Sequence, residues 1–424
     1  MARLVHDDVF YFLLQLCLML VVARVFGEIF KRMNQPAVVG EILGGIIIGP
    51  SVFSHFFPVT FMTIFNNHPN SSMAMDGIYN ISLIMMLFIS GMEIELPMIW
   101  KNGRSAIFIS FLGMLIPLSL GCLSGWFLFD RFGINNPSYR PAFTLFFGTA
   151  LSITALPVIA KILLDLKLLN SKIGSLIVTC AMLDDFVGWL LFSVVLSLMP
   201  AASGVTVNHT LVLTLFLTIL FAVLTLTIFK FLINRLFVFI SSKAGGPAGA
   251  LTIAMGMCFI GALITEYIGI HALFGAFLMG VAFGESLELT ERSKDIIHQF
   301  VINVFAPLFF VSIGLKVNFI ENFNLSLTLF ILGVSIISKI LGGYIGGRAG
   351  GLSNYESLAI GFGINARGAM EIILGLVALQ AGLITPQIFV SLTIMAIVTS
   401  LSSGGMIKFF LRKDLFKKDL LNSK

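Results

Sequence analysis

The sequence predicts an all-α polytopic membrane protein of about thirteen transmembrane helices. Three observations carry this. Hydrophobic residues make up 58% of the 424-residue chain, and charged residues only 11%, where a soluble protein carries roughly 25%. The apolar residues form continuous runs, several as long as the ~20 residues that a helix needs to cross a bilayer. The weak alternation over ~10-residue segments that marks a transmembrane barrel is not the pattern here.

Apolar runs and their punctuation place the spans at about 9–30, 36–50, 77–97, 104–129, 141–164, 172–199 and 209–240, then about 247–266, 270–284, 296–315, 323–347, 355–379 and 386–411. The second and ninth are short and glycine-rich. With the N-terminus outside, only Arg3, Arg131, Arg140 and Lys316 fall in outside segments, and Arg24, Lys339 and Arg367 lie within spans. The other nineteen of the 26 Lys and Arg fall inside. This positive-inside bias predicts the N-terminus out and the C-terminus cytoplasmic, and a multi-pass protein of the cell (inner) membrane is expected. The formal charge of +5 then lies in loops and tail that face an anionic leaflet.

The start, "MARLVHDDVF", lacks a basic region, a short apolar region and a small-residue cleavage site, so no cleaved signal peptide is expected. Cys17, Cys122, Cys180 and Cys258 are isolated in apolar runs, with neither metal-ligand spacing nor a disulfide framework. They are expected as small buried residues.

The chain repeats itself. "VVGEILGGIIIGPS" in the second span resembles "LFGAFLMGVAFGES" in the ninth, with Gly40, Gly45 and Gly49 spaced as Gly275, Gly280 and Gly284. One span later "LFISGMEI" matches "FFVSIGLKV" with a one-residue gap. The copies lie seven spans apart, an odd number, so they cross the membrane in opposite directions. The expected organisation is a single transporter domain over 1–424. It holds repeat one at about 9–199, a linker helix at about 209–240, repeat two at about 247–411 and a short basic cytoplasmic tail at 412–424. Inverted repeats with broken helices near the midplane are the architecture of secondary transporters.

Enzymatic and nucleotide-binding readings have no support. "GFGINARG" sits within a span and follows no strand, no nucleophile is arranged with a base, and Walker, HExxH and "TVGYG" patterns are missing. No cofactor and no nucleic-acid partner are expected.

An ionisable residue inside the membrane costs several kcal/mol, so it is a functional candidate by default. Span 6 enters near Lys172, and at about 1.5 Å per residue Asp184 and Asp185 of "MLDDFVGW" lie roughly 18–20 Å in, near the middle of a ~30 Å core. Span 5 carries "LSITALPVIAKIL". There Pro157 removes a backbone donor and biases Leu156 away from helix, and Ser152 and Thr154 offer hydroxyls at similar depth. Its repeat mate reads "GFGINARGAMEIIL", in which Gly361, Gly363 and Gly368 weaken the helix around Asn365 and Arg367. Lys339 lies in the same layer. It can serve as a structural counter-charge to the aspartates or take part in charge exchange. Arg367 and Glu371 are one turn apart, so an internal ion pair and a direct role both stay open. Arg24 and Glu28 read as a local pair, and His271 as a packing residue. Neighbours on a helix point about 100° apart, so one aspartate can meet Lys339 while the other faces a cavity. Burial favours the protonated form of a carboxylate, and a hard cation favours its oxygens. Competition of a proton and a cation for one carboxylate is sufficient for exchange if the site opens to each side in turn.

The ordered set "NQPAVVGEILGGIIIGPS", "ITALPVIAKIL", "MLDDFVGW", "FFVSIGL" and "INARGAME" resembles the cation:proton antiporter superfamily, and most closely its second family, over nearly the whole chain. The resemblance implies the sodium/proton antiporter fold, a homodimer, and an elevator-like exchange of a monovalent cation (Na⁺ favoured, Li⁺ or K⁺ open) for protons. It implies Asp185 as the main ion and proton carboxylate, Asp184 as its assistant in contact with Lys339, and Thr154 as a lining residue. Members with this Asp-Asp-Lys set tend to be electrogenic. The short tail leads us to expect no appended nucleotide-binding domain, which many potassium-efflux relatives carry. A sodium-coupled organic-anion symporter on a related fold is the alternative, with Arg367 as its only cationic anchor.

Overall fold

Apolar side chains in this protein face outward as well as inward, as they must when the solvent is lipid. The computed structural model describes residues 6–33, 35–94, 103–134, 136–169, 171–198, 211–232, 235, 247–286 and 290–422. Arg3, Glu95, Lys101, Lys243, Lys424 and parts of the linker at 209–240 lie outside the described residues. Those described are all-helical, with short turns between helices. The principal helices are α1 (His6–Arg32), α2 (Ala37–Ile48), α3 (Pro69–Met92), α4 (Gly103–Phe127), α5 (Arg140–Ser152), α6 (Leu156–Asp165), α7 (Lys172–Ser197) and α8 (Leu211–Leu224). They continue with α9 (Pro247–Tyr267), α10 (Ala272–Gly284), α11 (Glu291–Phe300), α12 (Ala306–Lys316), α13 (Leu325–Ala349), α14 (Asn354–Gly363), α15 (Ala369–Gln380) and α16 (Pro386–Asn422). Among the described residues ten stretches are long and apolar enough to cross a membrane. Three shorter apolar helices accompany them, at Phe216–Leu232, Ala272–Gly284 and Met370–Gln380.

The chain divides into two compact units, each made of two separate stretches. One comprises Met1–Ile94 with Phe216–Asn322, the other Glu95–Leu215 with Phe323–Lys424.

In the first unit α1 opens with Asp7 and Asp8 and closes with Lys31 and Arg32, charges that complement the helix dipole. The repeated glycines act here. A Cβ on Gly45 would overlap the backbone carbonyl of Val311, so α2 and α12 cross backbone to backbone. Gly280 meets the backbone of Phe88 in the same way, so α10 crosses α3. Each glycine-rich helix therefore packs on the helix that bears the other copy's second motif. Gly45→Val is expected to destabilise the fold by about 1–3 kcal/mol or more. Reduced recovery of monodisperse protein on size-exclusion chromatography would show it, and an unchanged yield would contradict the close crossing.

In the second unit α13 is apolar outside and small or polar inside. Thr328, Ser335, Ser338, Lys339, Gly342 and Gly346 are buried, while Leu329, Ile337, Leu341 and Ile345 are exposed. Lipid supplies no hydrophobic drive between helices, so small residues that permit close packing occupy the interface.

Several boundaries differ from the sequence reading. Helix α3 begins at Pro69 rather than near 77, because proline is well suited to a helix's first turn. Helix α16 runs to Asn422, past the apolar limit near 411, so the basic stretch 412–422 continues a helix. Cys17 is exposed and Cys122 half-buried, since an apolar run in a membrane helix also supplies the lipid face; Cys180 and Cys258 are buried.

Candidate functional site

Two interrupted helices meet in the second unit. Helix α5 stops at Ser152, the extended residues Ile153–Ala155 follow, and α6 starts at Leu156. The break thus lies just upstream of the position assigned to Pro157. Leu156 is helical, and Pro157 lies in the first turn of α6, where its missing N–H costs no hydrogen bond. The second interruption spans Ile364–Gly368, between α14 and α15. The breaks are tied together: the Ala155 N–H donates to the Ala366 carbonyl at 2.9 Å, and the Thr154 hydroxyl lies 2.7 Å from the Ile364 carbonyl. A Cβ on Gly368 would stand 2.6 Å from a Val158 methyl, so glycine lets the breaks approach.

An interrupted helix leaves carbonyls unpaired and negative at its C-terminal end. Two cations cover those of α5. Arg367 donates to the carbonyls of Ala150, at 2.7 Å, and Leu151. Lys339, from α13, donates to the carbonyl of Ser152. The Lys339 ammonium also lies 2.7 Å from Asp184 Oδ2. Asp184 further accepts from Ser110 of α4 at 3.0 Å and from Thr154 at 2.7 Å. The single Thr154 proton serves either Asp184 or the Ile364 carbonyl at one time. Arg367 pairs with Glu371 at 3.3 Å in the first turn of α15, and the Arg367 carbonyl accepts from Ser400 of α16.

Asp184, Asp185, Lys339, Arg367 and Glu371 are all at most 1% exposed. Three acids face two bases, a formal charge of −1 in a buried layer, which one proton or one monovalent cation would cancel. Asn365 is 1% exposed as well, and its side-chain oxygen has no hydrogen-bond partner among the described residues. A buried acceptor left so invites a donor or a cation.

The structure brings Asp184, Thr154 and Lys339 into direct contact, with Asp185 next in sequence on α7. Ser152 enters differently from expectation: its hydroxyl turns to the Thr149 carbonyl at 2.8 Å, and its own carbonyl, rather than its hydroxyl, meets Lys339. Ser110 and Ser400 escaped the sequence reading. Outside the cluster, Glu28 approaches Arg32 at 3.9 Å instead of pairing with Arg24, and His271 caps α10 by accepting from the Leu273 N–H.

A polytopic helical protein with ion-paired charges buried at two crossed helix breaks is, as a class, a secondary membrane transporter. The chain belongs to the sodium/hydrogen exchanger family, whose transmembrane-domain description matches residues 17–413. It is 31% identical over 424 residues to Cation/H(+) antiporter 17 of Arabidopsis thaliana, covering 97% of this chain and 50% of that protein. It is 30% identical over 395 residues to the Na(+)/H(+) antiporter NhaS4 of Synechocystis, covering 91% and 93%. The chain thus spans half of the plant relative and nearly all of the cyanobacterial one. Its fold is similar to that of the sodium proton antiporter MjNhaP1 from Methanocaldococcus jannaschii, with a TM-score of 0.63 at 18% identity over 94% of this chain and 96% of that one.

Proposed function

We propose that this protein is a single-domain secondary antiporter that exchanges a monovalent cation for protons, with cation and proton competing for the Asp184–Asp185 layer. The observation that carries this reading is the charge balance: three buried acids against two buried bases, set on two helix breaks. A layer that is one charge short of neutral is stable in the membrane when it holds a proton or a cation, and costly when it holds neither. Competition between the two ions follows without any further group.

Asp184 is held by Lys339, Thr154 and Ser110, and Asp185, buried beside it on α7, is assigned as the carboxylate that exchanges its ion, the role that the resemblance to the antiporter superfamily implies. Na⁺ is favoured, with Li⁺ and K⁺ admitted, in keeping with the sodium antiporters NhaS4 and MjNhaP1. The Asp-Asp-Lys set supports electrogenic exchange. All five charges belong to one compact unit, which we assign as the moving part of an elevator in a homodimer. The crossings of α2 on α12 and of α10 on α3 through matched glycines support two inverted repeats. The N-terminus is assigned outside and the C-terminus to the cytoplasm.

In everted vesicles acidified by respiration, added Na⁺ or Li⁺ is expected to discharge the acid gradient, and an imposed membrane potential to change the rate. Insensitivity to the potential would make the exchange electroneutral. Absence of cation-driven proton movement, with Na⁺-dependent uptake of an organic anion in its place, would overturn the antiport reading.

A further inference from the structure

The first unit holds a cavity of about 230 Å³ that the exchange site does not use. Its walls come from α1, the short helical stretch 61–66, α3 and α12, and are chiefly apolar: Met19, Phe61, Met75, Ile78, Leu308 and Leu315. That volume is below the ~300–1,000 Å³ of sites for drug-sized molecules, so it suits a narrow apolar segment, such as part of one acyl chain. One polar group on the wall is out of place. Tyr79 is 3% exposed, and its hydroxyl has no hydrogen-bond partner among the described residues. The neighbouring Gln15 is satisfied, by the Ile64 carbonyl at 2.5 Å and by Ser71. Buried hydroxyls are normally paired, so the orphan marks the place of a missing acceptor.

The rim carries charge in a definite order. Lys316 lies 3.9 Å from the centre of the Tyr79 ring and 3.0 Å from Asp76. The lysine side chain is 30% exposed and the aspartate 61%. From inside outward the site therefore presents an apolar chamber, then donors on Tyr79 and Lys316, then an acceptor on Asp76. We propose that this cavity binds one acyl chain of a phosphoethanolamine lipid, with the phosphate or ester oxygens at Tyr79 and Lys316 and the ammonium at Asp76. Tail, acceptor and donor follow one another in such a lipid in the same order. A choline headgroup has no N–H to give Asp76, and a glycerol headgroup offers it neutral hydroxyls in place of a cation, which makes a weaker hydrogen bond.

The test uses the full-length protein in detergent, titrated with 1-oleoyl lysophosphatidylethanolamine, lysophosphatidylcholine and lysophosphatidylglycerol and read by native mass spectrometry. One equivalent of the ethanolamine lipid is expected to bind about tenfold tighter than the other two. Tyr79→Phe is expected to weaken it about tenfold, the worth of one hydrogen bond to an ionised acceptor. Without lipid, Tyr79→Phe should melt no lower than the parent, because it deletes an unpaired buried group, so loss of binding would not be loss of fold. Leu308→Trp, which fills the chamber, should remove the bound lipid. Tightest binding of the glycerol lipid would replace the proposal with a plain anion site. Equal binding of all three, unchanged by Tyr79→Phe, would overturn it.

Discussion

Asp185→Asn is expected to lower cation-driven proton flux roughly a hundredfold or more, a loss of at least about 2.7 kcal/mol in the transport step, while leaving the protein folded. Asparagine keeps the shape of the side chain and removes its charge. The buried layer then holds two acids and two bases, and neither a proton nor a cation is needed to neutralise it. A buried carboxylate costs more desolvation energy than a buried amide, which offsets any contact of the carboxylate that the amide loses, so the variant should keep the parent's heat stability. Loss of transport together with retained or raised heat stability is the signature of a carboxylate kept for exchange.

Asp184→Asn should behave otherwise. The Lys339 ammonium, fully buried and 2.7 Å from Asp184, would lose its counter-charge, and breaking a buried pair from one side costs about 3–5 kcal/mol. This variant is expected to be inactive and markedly less stable in a thermal-unfolding assay in detergent. If Asp184→Asn were stable and silent while Asp185→Asn still transported, the assignments of the two carboxylates would be exchanged.

Much of this arrangement could be read from residue types. Two aspartates, a lysine and an arginine inside apolar runs are improbable without a purpose, and Gly361, Gly363 and Gly368 announce a weak helix. The break in the fifth span was legible only approximately. Pro157 drew attention to itself, whereas the extended residues are Ile153–Ala155, where β-branched Ile153 and Thr154 already disfavour helix. The role of the carbonyls of Ala150, Leu151 and Ser152 was not legible, because every residue has a carbonyl and only a broken helix frees it. Ser110 was hidden for a related reason. Hydroxyls in these helices mostly bond back to their own helix, as Ser82 does to Ile78, Thr149 to Leu145 and Thr399 to Met395. Nothing in "RSAIFIS" marks Ser110 as the one that crosses to Asp184. The ends of α3 and α16 were missed because hydropathy reports where lipid ends, not where a helix does.

Arg367→Ala is expected to cost about 3–5 kcal/mol of stability and to abolish transport. The guanidinium covers the Ala150 and Leu151 carbonyls and pairs with Glu371 at once, so its loss strands two backbone acceptors and a carboxylate in a buried layer. Arg367→Lys should be nearly as harmful, since a single ammonium cannot reproduce a planar fork that meets three acceptors. The informative variant is the double one, Arg367→Met with Glu371→Leu. It deletes one base and one acid, so the layer keeps its formal charge of −1 from Asp184, Asp185 and Lys339. Removing both partners of a buried pair is far milder than removing one, although the two carbonyls remain uncovered at about 1–3 kcal/mol each. The double variant is therefore expected to regain part of the lost stability and, with the charge balance intact, measurable cation-driven proton flux. Recovery of both would define Arg367 and Glu371 as a structural pair that holds the crossed breaks. A double variant that folds as well as expected and yet moves no protons would place the pair in the transport step itself.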